Sequence, residues 1–295
     1  MSRIFPVAVA CRPGHQAQAD TKKHKPYSSL NYRPLQSKFH YTLLFFILLV
    51  LHVAAGVYFN GYSAWWLPAC VLALITILAL GAIFIRWNFY LNSVNTLPIL
   101  NVKFDRGQLS VQQRGRRVAL SFDDGPANHT AAILDILKRE NVPATFFLIG
   151  KNIAGNEALV LRMKHEGHSI GNHSFDHGFH FDWQSAAKME EEIRRTNEAI
   201  EALTGTPVKL FRPPYGVTNP NLAKAIRNSG MRSMGWRLRS LDTVAKDKDQ
   251  LLHKIMSKVR TGDIILLHDR CAITETILPK LIGALKEQGY TFATL

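Results

Sequence analysis

From Phe39 to Ile85 this chain carries no Asp, Glu, Lys or Arg. No other feature of the sequence limits the fold so strongly. A run that long exceeds one bilayer crossing of about 20 residues and fits two. The pattern predicts two transmembrane helices, over residues 39–59 and 64–85, with Asn60-Gly61-Tyr62-Ser63 as the turn of a hairpin. Trp65, Trp66, Trp87 and Tyr90 fall where amphipathic rings favour the membrane–water interface. A secretory signal peptide fits poorly, because its apolar region spans only about 7–15 residues ahead of a small-residue cleavage site. Two buried core helices are the competing reading, and an uncharged stretch well past the threshold of about 18 residues argues against it.

The formal charge of +14 is concentrated around this run. Residues 1–40 hold seven Lys/Arg against one acid and residues 86–117 hold six against one, which leaves +3 for residues 118–295. Such a distribution argues against nucleic acid as a partner. It points to anionic headgroups, and by the positive-inside rule both flanks of an integral membrane hairpin with an uncharged loop face the cytoplasm. Residues 1–38 are polar, basic and aperiodic, which predicts a disordered tail. Residues 88–116 read as a connector. Cys11, Cys70 and Cys271 are an odd set with one member inside a predicted span, so no disulfide framework is expected and Cys271 reads as a reduced, unreactive thiol.

From Arg117 onward, short apolar runs alternate with segments of helical period. Candidate strands are Val118–Phe122, Ala144–Ile149, His168–Gly171, Lys209–Arg212, Met231–Trp236, Asp263–His268 and Tyr290–Ala293. Between them, Ile133, Leu134, Ile136 and Leu137 form one helical face, and Met189, Ile193, Ile200 and Leu203 form another that stops at Gly205. Leu222–Asn228 and a segment around Ile277–Lys286 make two more. Strand–helix alternation predicts a parallel sheet with helical crossovers. About seven strands in about 180 residues is too few for a complete eight-unit barrel of about 250, so the fold class is α/β, a distorted, incomplete (β/α) barrel over residues 117–295.

Four segments at the ends of those strands carry chemistry: Ser121-Phe122-Asp123-Asp124-Gly125-Pro126, His173-Ser174-Phe175-Asp176-His177, Arg212-Pro213-Pro214-Tyr215-Gly216 and Leu266-Leu267-His268. In a parallel barrel the C-terminal ends of strands are where catalytic groups lie. His173 and His177 are four apart, so on a helical turn both rings would project from one face toward one ion. Two His and one carboxylate with an open position is the donor set of a catalytic zinc site. His165, His168 and His180 read as surface or packed histidines.

In these segments the chain resembles the polysaccharide deacetylase family, the NodB-homology enzymes of carbohydrate esterase family 4. The resemblance runs from about Arg117 to the C-terminus and implies a metal-dependent hydrolase that removes acetyl groups from sugars. It implies Asp124, His173 and His177 as ligands of one divalent metal, with zinc expected. It further implies Asp123 as general base, His268 as general acid, Arg212 as the tether of Asp123, and the Tyr215 N–H as a donor to the oxyanion.

One segment departs from the family pattern. The usual Asp-x-x-Asp-Trp is here Arg239-Ser240-Leu241-Asp242-Thr243, which leaves Asp242 as the acid available to orient His268 and frees Arg239 to support Asp123 beside Arg212. The expected partners are a membrane and an acetylated glycan or lipid-linked sugar, with no nucleic acid. The competing functions are a non-catalytic sugar-binding or scaffolding module on the same fold, and a hydrolase of another acyl or formyl group.

Overall fold

The computed structural model describes residues 38–98, 100–105, 108–113 and 115–295. The expected basic tail thus lies outside the described residues, as does Cys11. Helices α1 (Lys38–Asn60) and α2 (Trp66–Ile83) occupy the charge-free run. Both are long and apolar enough to cross a membrane. Leu44, Phe45, Leu48, Leu51, Leu72 and Ile75 on them are exposed, which is the reverse of a core helix in a soluble protein. The two run antiparallel: the Tyr62 N–H donates to the Gly56 carbonyl at the turn, and the Lys38 ammonium donates to the Trp87 carbonyl at the open end. Trp65, Trp66 and Trp87 are exposed as expected. Tyr90 is instead buried, with its hydroxyl donating to the Leu78 carbonyl, because it packs on the hairpin rather than facing an interface.

Beyond the hairpin, β1 (Ser93–Val94) is followed by an antiparallel ribbon of β2 (Leu100–Asp105) and β3 (Gln108–Gln113). The remaining elements alternate: β4 (Arg117–Gly125), α3 (Thr130–Arg139), β5 (Thr145–Leu148), α4 (Glu157–His165), β6 (Ser169–Asn172), α5 (Ala186–Thr204), β7 (Leu210–Phe211), α6 (Pro220–Asn228), β8 (Arg232–Met234), β9 (Leu238–Arg239), α7 (Lys248–Lys258), β10 (Ile264–His268), α8 (Ala272–Glu287) and β11 (Thr291–Phe292). The strands curl into an open parallel half-barrel ordered β1-β8-β7-β6-β5-β4-β10-β9, with β11 paired to the start of β4.

Each of the seven expected strands is present. The sheet also holds β1 and β9, whose two residues each are too short to show as an apolar run, and β1 is drawn from the segment read as a connector. The central strands β4, β5 and β10 are buried almost end to end, as parallel strands covered on both faces must be. Phe122 and Phe146 stack at 5.1 Å between sheet and helices, and each such buried side chain contributes about 1.5–3 kcal/mol. A second cluster of Ile85, Ala119, Phe147, Met234, Trp236 and Ile264 ties the foot of α2 to the sheet.

Candidate active site

The site stands on the C-terminal ends of the strands. β4 ends in a register shift between Asp123 and Gly125, and Asp124 adopts a left-handed φ of 76°. That break in the pleat lets two successive carboxylates, which a regular strand would send to opposite faces, turn toward one cavity. A Cβ at Gly125 would overlap the buried Asp269 carboxylate, so a larger residue there requires that side chain to shift.

The segment after β6 is not the helical turn that the four-residue spacing of the histidines suggests. Ser174 and His177 have φ of 65° and 49°, and a set of side chains holds the loop. The Ser174 N–H donates to Asn172 Oδ1, the His177 N–H to Ser174 Oγ, and the Phe175 and Asp176 N–H groups to Glu192 of α5, itself buried. The two rings nevertheless lie close, with centroids 4.7 Å apart.

Asp124, His173 and His177 present ligand atoms that all lie within 4.8 Å of one another. Asp124 Oδ1 is 3.6 Å from Nε2 of each histidine, while Arg270 Nε donates to Oδ2 at 2.6 Å. His173 Nδ1 lies 2.7 Å from the Arg212 carbonyl, which can only accept, so Nδ1 carries the proton and Nε2 offers its lone pair. Burial first, and then the neighbouring His173, depress the His177 imidazole to about 4, so it is neutral near pH 7. Burial would raise the Asp124 carboxyl, but His173, the Arg270 hydrogen bond, His268 and His177 together hold it below the usual carboxylate value. A carboxylate and two imidazoles whose Nε2 atoms face it suit a divalent cation.

On either side of this triad stand Asp123 and His268. Arg212, fully buried after β7, donates to Asp123 Oδ1 at 2.7 Å, to Ser121 Oγ at 2.9 Å and to the Gly235 carbonyl at 2.9 Å, and its plane lies 4.0 Å from the Phe147 ring centre. Asp123 Oδ2 stays turned inward, 3.7 Å from His173 Nε2. His268 Nδ1 donates to Asp242 Oδ1 at 2.8 Å. Asp242 Oδ2 accepts from the His268 N–H at 2.7 Å and from Thr274 Oγ1 at 2.6 Å, which fixes the carboxylate. Burial lowers the His268 pKa, but the Asp242 hydrogen bond and charge, with Asp123 and Asp124 behind, outweigh it and raise the value above normal. The loop Leu241 (φ 65°) thus keeps the one surviving acid in the orienting position.

Tyr215 has φ 58°, sits half-exposed with its ring 4.7 Å from that of His177, and its N–H has no acceptor among the described residues. Gly216 packs on Trp236, where a Cβ would come within 2.4 Å. Arg239, on the edge strand β9, is exposed and makes no ion pair with Asp123 among the described residues, although it lines the same cavity. Asp123, Asp124, His173, His177, Tyr215 and His268 line one cavity of about 140 Å³. Reading the sequence by motif missed Arg270 and Glu192; Arg270, two residues past His268, was the more visible signal.

Of the other histidines named from the sequence, His168 is packed and accepts from the Ala144 N–H in the core, and His180 is exposed. Cys271 is a free thiol that burial pushes up to about 11, and Cys70 is free within α2.

The half-barrel has the architecture of the family 4 carbohydrate esterase from Streptomyces lividans, solved in complex with acetate, at a TM-score of 0.57 and 34% identity over 61% of this chain and 92% of that one. Residues 110–234 match the family model described as polysaccharide deacetylase. The chitooligosaccharide deacetylase of Rhizobium leguminosarum bv. trifolii is 37% identical over 170 residues, 57% of this chain and 78% of the relative. The peptidoglycan-N-acetylglucosamine deacetylase PgdA of Listeria monocytogenes is 36% identical over 181 residues, 61% of this chain but only 38% of the relative's length. The chain belongs to the polysaccharide deacetylase family.

Proposed function

We propose that this protein is a membrane-anchored, metal-dependent deacetylase that hydrolyses the acetamide of N-acetylated sugars, with residues 117–295 as its catalytic domain. The observation that carries the reading is the meeting of Asp124, His173 and His177 around one point, flanked by an oriented Asp123 and an oriented His268 in a single cavity. Asp124, His173 and His177 would hold one divalent ion, with zinc expected from the donor set. Such an ion supplies a Lewis acid for the acyl oxygen and a water of lowered pKa.

The chain's own groups account for the rest. Asp123, fixed through Oδ1 by Arg212, takes the proton of the attacking water at Oδ2. The Tyr215 N–H meets the charge that develops on the acyl oxygen. His268, whose pKa the Asp242 hydrogen bond and charge raise against burial and whose Nδ1 is bound to Asp242, gives a proton at Nε2 to the departing nitrogen. Because the family's orienting role is retained by Asp242, the altered Arg239 segment gives no support to a non-catalytic module. In a direct test, purified protein releases acetate from N-acetylglucosamine oligomers, loses that activity to a chelator, and regains it with Zn²⁺. Turnover unaffected by metal removal rejects the ligand assignment, and release of formate or a longer acid in preference to acetate replaces the substrate.

We further propose that α1 and α2 cross the membrane with both ends on the cytoplasmic side. Lys38 and Arg86 stand at the same end of the hairpin, and the turn end is uncharged. A cysteine introduced at the C-terminus of a Cys-free variant should resist an impermeant maleimide in intact cells and react after permeabilisation. Labelling of intact cells reverses the orientation.

A further inference from the structure

A second concavity, of about 470 Å³, opens beside the active site. Its one wall is the foot of the hairpin, Ile83 to Trp87, and its other wall is Trp236 with Arg239. Trp236 and Arg239 also line the catalytic cavity, so the two spaces share a wall. The contact between hairpin and half-barrel is built in: the Thr218 N–H, three residues beyond Tyr215, donates to the Ala82 carbonyl of α2 at 3.0 Å, and Ile85 is buried near Gly235.

The charge in this groove is unbalanced. Arg212, Arg237 and Arg270 each meet a carboxylate, whereas Arg86 and Arg239 are exposed with no acidic partner among the described residues, and no acid lines the groove. Two arginines that line one groove with no acid beside them favour a phosphate or diphosphate, whose oxygens match the planar N–H fork. The exposed apolar face of α2, with Leu72, Ile75 and Ile83, leads down to the same place. A ligand that satisfies both features has an anionic phosphate joined to a long hydrocarbon. The small size of the catalytic cavity suits an acetamido group presented from next door.

Resting on the deacetylase reading above, we infer that the substrate is an N-acetylated sugar joined through phosphate to a membrane lipid, with the phosphate between Arg86 and Arg239 and the acyl chain along α2. The test uses the full chain in phosphatidylcholine vesicles. Acetate release is compared between an isoprenyl-diphosphate N-acetylglucosamine and a soluble N-acetylglucosamine oligomer, and the quantity read is the ratio of their kcat/KM values. The wild-type ratio should exceed about 100, and Arg86→Gln, a substitution at an exposed residue outside the catalytic cavity, should lower it at least tenfold through KM, with Arg239→Gln acting in the same direction. A wild-type ratio near one, or a ratio that neither substitution moves, overturns the inference and leaves the deacetylase reading standing. Acetate release from neither substrate removes both.

Discussion

Strand β10 has a different kind of carboxylate chemistry at each end. At its foot, Asp263 is fully buried and saturated: Arg237 meets both its oxygens and the Arg260 N–H adds a third bond at 2.8 Å. At its head, His268 pairs with Asp242 and faces a cavity in which Asp123, Asp124, His173 and His177 are held close with their reactive atoms turned inward. The foot closes every polar valence on the protein itself. The head orients each group through one atom and leaves another free, as Arg212 does for Asp123 and the Arg212 carbonyl does for His173. One end of the barrel therefore serves stability and the other serves chemistry, and substitutions at the two ends should separate these effects.

The largest effect is expected at the head. Asp123→Asn keeps the shape but cannot accept the water's proton, so kcat should fall toward the upper end of the 10²–10⁴-fold range of general-base catalysis, roughly 10⁴-fold. Zinc content by atomic emission should be unchanged. Near-normal turnover would remove Asp123 from its role, and loss of metal would make it a ligand instead. At the foot, Asp263→Ala leaves Arg237 and the Arg260 N–H without their partner, at a cost of about 3 kcal/mol, the low end for breaking a buried pair because Arg237 keeps some contact with water. Denaturant unfolding should show that loss while the protein that remains folded keeps its kcat within about twofold. A comparable fall in kcat per folded molecule would erase the distinction between the two ends.

What was legible in the sequence tracks how local the cause is. The charge-free run and the apolar strands announce themselves because burial requires unbroken runs, and the four motif segments fall where strand ends place them. Strands β1 and β9 were hidden because two residues carry no periodicity; their position follows from the edges they complete. The left-handed turn between His173 and His177 was invisible for a similar reason. It depends on Glu192, which arrives from α5, so spacing alone suggested a helical turn instead. Arg239 illustrates the same limit: a cation standing where the family pattern has an acid gives no sign of where a strand edge will carry it.

The smallest effect sharpens the comparison most, because it acts on a group that touches no substrate. Asp242 raises the His268 pKa, so it keeps the proton that the leaving nitrogen needs in place to higher pH. A general acid works only while protonated, and activity declines as pH rises through its pKa. Asp242→Asn removes the carboxylate charge but can retain a hydrogen bond to Nδ1. The pKa of His268 should then fall, and the alkaline limb of the kcat profile should move to lower pH, with a loss of about 10–100-fold at pH 8 that shrinks as the pH is lowered. A uniform loss at every pH would mean that Asp242 only positions the ring. An unmoved profile with full activity would mean that His268 is not the acid, and the head of β10 would then differ from its foot in exposure alone.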